Sequence, residues 1–91
     1  MDEAIKQLKS NLSWTLLRRF DEVLAEQKPE ECKELFYMTI ENYVNDHFGA
    51  HAQDFTRDIF YRLTSIGQKG WIIDLKSRLA SRFPDRKALY R

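Results

Sequence analysis

The chain has 91 residues, 43% apolar and 32% charged, with a formal net charge of +1, which allows one small core, is not the composition of a disordered chain and argues against a generic nucleic-acid binder. Three Gly and two Pro among abundant Leu, Ala, Glu, Lys and Arg argue against a sheet protein and predict an all-α fold with residues 1–91 as a single domain. The single Cys32 excludes an internal disulfide, no apolar run approaches the ~20 residues that cross a bilayer, and without a signal sequence the expected location is cytoplasmic.

From Asp2 to Gln27 the sequence contains neither Gly nor Pro. Its apolar set Ala4, Leu8, Leu12, Leu16, Phe20 and Leu24 recurs every four residues, a step that overshoots a helical turn by about 40°. One straight helix would carry that stripe round to its opposite face. A break near Asn11–Ser13, with Ser13 as N-cap, resets the face so that Leu16, Leu17, Phe20, Val23 and Leu24 point one way. Two helices are therefore expected before Lys28.

Pro29 suits the first turn of the next helix, where its missing N–H costs nothing, and Glu30 and Glu31 complement the helix dipole. Cys32, Leu35, Phe36, Met38, Ile40, Tyr43, Val44 and Phe48 carry that helix to Gly49, a natural left-handed stop. Its apolar residues occupy more than one face, so it is expected at the centre. Gln53 or Asp54 opens another helix with Phe55, Ile59, Phe60, Leu63 and Ile66 inward, ending by Gly70. The last helix turns Trp71, Ile72, Leu75, Leu79 and Phe83 inward and stops at Pro84, which fixes φ and lacks an N–H. A short tail then returns Leu89 to the core. The pattern predicts a compact bundle of five to six helices with short connections.

Little in this sequence points to catalysis. His47 and His51 stand four apart near Asp46 and Asp54, a spacing that can hold zinc on one helix face. Gly49 breaks that helix, and no third His or Cys is close, so no metal or cofactor is expected. Cys32 reads as a small buried hydrophobe rather than a nucleophile. No glycine-rich phosphate loop and no G-x-S-x-G is present. No catalytic residue is assigned, and the protein is not expected to be an enzyme. Most aromatics fall on inward stripes; Trp14 and Tyr37 sit off them and are the candidates for an exposed contact.

Charge is distributed unevenly. Residues 1–19 have a net charge of +2 and residues 47–68 balance. Residues 21–46 hold eight acids (Asp21, Glu22, Glu26, Glu30, Glu31, Glu34, Glu41, Asp46) against Lys28 and Lys33, a net −6. Residues 69–91 hold seven bases (Lys69, Lys76, Arg78, Arg82, Arg86, Lys87, Arg91) against Asp74 and Asp85, a net +5. If the two segments are neighbours they neutralise each other, at under ~1 kcal/mol per exposed pair. If they lie on opposite faces, one molecule presents an anionic and a cationic patch, and head-to-tail association follows. A third reading makes the basic 71–83 helix the reader of a small DNA-binding regulator.

The C-terminal half supplies a resemblance. Asp58-Ile59-Phe60-Tyr61-Arg62-Leu63, then Lys69-Gly70-Trp71-Ile72-Ile73-Asp74-Leu75, then Arg82-Phe83-Pro84-Asp85-Arg86-Lys87-Ala88-Leu89 resemble the effector-associated domain. Leu16-Leu17-Arg18-Arg19-Phe20 and the Leu35-Phe36 helix extend the likeness forward. Domains of that family are death-fold-like helical adaptors in prokaryotic conflict systems. The resemblance implies a death-fold-like bundle without catalytic residues, which pairs homotypically with a like domain and so couples a sensor to an effector. The expected partner-binding residues are Glu30, Glu31, Glu34 and Glu41 on one side, and Lys76, Arg78, Arg82 and Arg86 on the other. No nucleic acid, membrane or small-molecule substrate is expected as partner.

Overall fold

A computed structural model of the chain describes residues 14–90. All of its regular structure is helical, and the described residues contain no strand. The expected first helix and its boundary at Ser13 lie outside the described residues.

Helix α1 spans Trp14–Gln27 and buries Leu17, Asp21, Leu24 and Ala25. These recur at i, i+4, i+7 and i+8, one face of a helix. The expected stripe is corrected here: Phe20 and Val23 remain 42% and 45% exposed. The inward arc is centred on Leu17 and Leu24 and takes in Asp21. An acid on the buried side displaced the sequence-based stripe towards the apolar side chains flanking it.

Helix α2 spans Pro29–Asp46, with Glu30 and Glu31 in its first turn. Only Lys28 separates it from α1. The Lys28 N–H still bonds the Leu24 carbonyl at 2.7 Å, and the Lys28 carbonyl accepts from Cys32 N at 2.9 Å. Pro29 interrupts the ladder by lacking a donor and occupies the first helical position, as expected.

The chain divides into two compact units, Met1–Thr39 and Ile40–Arg91, and α2 runs through both. Within the first, the Trp14 ring meets Phe36 edge-on at 5.8 Å, and the Cys32 thiol donates weakly to the Asp21 carbonyl at 3.7 Å. Contacts at 14–36 and 21–32 fold α1 back along α2 as a helical hairpin. Leu24, Cys32, Leu35 and Phe36 are fully buried, each large apolar side chain adding roughly 1.5–3 kcal/mol. Tyr37, expected as an exposed contact, is buried instead, and Trp14 is half-buried.

In the second unit, α3 spans Ala50–Ser65 and α4 spans Gly70–Arg82. Helix α3 opens earlier than the Gln53 or Asp54 predicted. Gly49 caps it with φ 65° and ψ −140°, a conformation open to glycine because it has no Cβ. At its other end the Gly67 N–H bonds the Thr64 carbonyl and the Gln68 N–H bonds the Leu63 carbonyl, with Gly67 at φ 80°. This paired closure is a Schellman motif and ends the helix before Gly70, as expected. Ile59, Leu63, Leu75 and Leu79 are fully buried, while Trp71, Ile72 and Phe83 are only half-buried. A 3-10 turn, Lys87–Leu89, packs on α3 and α4 and buries Leu89. The described residues thus hold four α-helices and this turn, against the five to six helices expected of the whole chain.

Two buried hydroxyls show how polar atoms enter the interior without cost. Thr39 Oγ1 donates to the Leu35 carbonyl at 2.8 Å, and Thr56 Oγ1 to the Ala52 carbonyl at 2.9 Å. Each is satisfied within its own helix.

Candidate interaction surface

The C-terminal end of α2 is built by a residue far along the chain. A helix leaves its last carbonyls without intrahelical donors, and the last turn of α2 contains no basic residue. Arg86 supplies both donor and charge: its guanidinium donates to the Val44 carbonyl and, at 2.8 Å, to the His47 carbonyl. The cation lies 4.8 Å from the Phe48 ring centroid and 5.6 Å from that of Phe83, within cation–π range of both. Tyr43 stacks at 3.8 Å on His47 and on Phe55, and His47 Nδ1 lies 3.0 Å from the Tyr43 carbonyl.

These contacts correct two expectations. Arg86, expected among the partner-binding cations, is a half-buried cap of α2. Phe48, expected within the central helix that runs to Gly49, lies beyond the helix end at Asp46 and is 70% exposed, flanking Arg86. Helical spacing stops predicting direction once the helix has ended at Asp46.

The other expected partner-binding residues divide unevenly. Glu30 and Glu31 are exposed on the first turn of α2, and Glu30 approaches Lys33 at 3.8 Å. Glu34 and Arg78 are half-buried. Glu41 and Arg82, assigned to opposite sides, approach each other at 3.8 Å with side chains 33% and 57% exposed. The second half of α2 and the end of α4 therefore neutralise each other at this point, an interaction worth about 0–1 kcal/mol at such exposure.

Lys76 behaves differently. Its ammonium lies 5.8 Å from the Phe60 ring centroid, at a cleft of about 400 Å³ lined by Gln53, Arg57, Phe60, Lys76, Ala88 and Leu89 among others. A second cleft of about 270 Å³ shares Gln53, Ala88 and Leu89 and includes Arg86 and Lys87. Arg57 belongs to the charge-balanced segment 47–68, so composition by segment concealed it. Exposed Tyr61 and Ile73 were likewise missed, because inward-stripe counting does not reveal apolar side chains left outside.

The Cys32 thiol is pushed up to about 12, first by burial and then by the charge of Asp21. Such a thiol stays protonated and is a poor nucleophile at neutral pH. Among the described residues no three His, Cys, Asp or Glu side chains gather to hold a metal ion. No helix among them is long and apolar enough to cross a membrane.

No family model, curated protein or solved structure matches the chain.

Proposed function

We propose that this chain is a non-catalytic interaction domain, a death-fold-like adaptor that pairs with a like domain and couples a sensor to an effector in a prokaryotic conflict system. The observation that carries this reading is the exposure of Pro29, Glu30 and Glu31 on the first turn of α2, inside a segment of net −6, in a chain whose last 23 residues have a net charge of +5. A chain that exposes acid on one element and concentrates base on others is suited to head-to-tail pairing. The likeness of residues 58–63, 69–75 and 82–89 to the effector-associated domain supports the same reading.

Comparing E30K/E31K with the unmodified chain by analytical ultracentrifugation at low ionic strength tests it. The reversed chain is expected to sediment as a monomer while the unmodified chain assembles. Unchanged assembly would remove these two acids from the contact. Retention on duplex DNA that weakens steeply with salt would instead assign DNA binding to the 71–83 helix.

A further inference from the structure

We infer that the cleft between α3, α4 and the Lys87–Leu89 turn is the receiving half of the contact, and that its occupant is the first turn of α2, Pro29-Glu30-Glu31, of a second copy of this chain. The inference rests on the adaptor reading and specifies its cationic surface.

The expected cationic residues are Lys76, Arg78, Arg82 and Arg86, and Arg78, half-buried, does not line the cleft. Arg86 binds the carbonyls that end α2, and Arg82 approaches Glu41. Lys76, over the Phe60 ring, borders the open cleft together with Arg57, placing two cations at a volume of about 400 Å³. The Arg57 partner that the geometry shows, Asp54 one turn earlier at 3.6 Å, is highly exposed, and so is Arg57. That pair is a weak competitor for an incoming carboxylate. The cleft lining also includes Phe60, Ala88 and Leu89 among polar neighbours such as Gln53 and Thr56.

The occupant must therefore carry carboxylates, and a compact group beside them can meet Phe60, Ala88 and Leu89. Pro29, Glu30 and Glu31 supply both in consecutive residues, all three exposed, and the Glu30 side chain is 87% exposed. Charge complementarity within one sequence selects a second copy. The two surfaces are different patches, so the contact is heterologous and each molecule retains one unused half. Mixing variants reversed in opposite halves must then restore association that neither shows alone.

Sedimentation velocity at low ionic strength on R57E/K76E, on E30K/E31K and on their equimolar mixture tests this, with circular dichroism and thermal melting showing that each variant is folded. Each variant alone is expected to be monomeric, and the mixture to associate, because the two unmodified halves meet and the two reversed halves are complementary to each other as well. R57E alone, altered at an exposed position, is expected to weaken assembly at least tenfold even if the Lys76 change disturbs folding. R19E/K69E, the same change in net charge outside the cleft, is expected to assemble normally.

Normal assembly of R57E and R57E/K76E beside a monomeric E30K/E31K would overturn the cleft and leave the adaptor reading standing. Loss of assembly in R19E/K69E, or a folded mixture that stays monomeric, would also overturn the cleft. An unmodified chain that is monomeric at every concentration would overturn both.

Discussion

The two ends of α2 handle charge in opposite ways. Its N-terminus shows Glu30 and Glu31 to solvent, with carboxylates that complement the dipole from outside. Its C-terminus takes no cation from its own last turn and receives Arg86 from 42 residues beyond Val44, held beside Phe48 and Phe83. One end leaves its charges available to a partner, whereas the other uses a charge to fasten the chain to itself. Where a charged residue falls in the sequence does not say which of these it does.

The largest effect is expected where the C-terminal segment is anchored. Leu89 is buried on α3 and α4, so L89A should cost about 2–5 kcal/mol, read as a lower urea midpoint at constant slope. If the midpoint stays unchanged, the turn does not hold the end of α2 in place.

R86A comes next. It removes the donors from two helix-terminal carbonyls and a cation from between two rings, for about 1–3 kcal/mol. R86K keeps the charge but not the forked donor geometry, and is expected to recover only part of the loss in thermal melting. Full recovery would mean that charge alone caps α2.

At the opposite end, E30Q/E31Q should change stability by only about 0.3–1 kcal/mol, mainly through the dipole, while weakening association far more. A large fall in melting temperature with association intact would erase the contrast between the two ends.

Near neutral pH the smallest effect on stability concerns Cys32, fully buried although its neighbour Glu31 is exposed. Its pKa rises on folding from an ordinary 9.0 to about 12. The stability this protonated thiol contributes is complete below pH 9 and is lost as pH rises towards 12. At pH 8 the folded protein should resist iodoacetamide and the guanidinium-unfolded protein should react. Rapid labelling of the folded chain would place the thiol at the surface.

Much of the helical framework was legible because it rests on local chemistry. Pro29 at a first helical position, Leu75 and Leu79 one turn apart, the stop at Pro84 and the return of Leu89 all follow from backbone constraint and spacing. What escaped was non-local. The burial of Asp21 turned α1 away from the stripe containing Phe20 and Val23. The union of Arg86 with Val44 and His47 and the approach of Arg82 to Glu41 join residues about forty positions apart, so no window of sequence contains them. Net charge by segment likewise hid Arg57 among its neighbouring acids, although geometry places it at a cleft with Lys76.

Light scattering of the unmodified chain over a range of concentrations, at low and at high salt, tests the central claim most directly. Pairing through Glu30 and Glu31 against Arg57 and Lys76 predicts a mass that rises with concentration at low salt and falls to that of one chain as salt is added. A single-chain mass under every condition, or an assembly indifferent to salt, would contradict it.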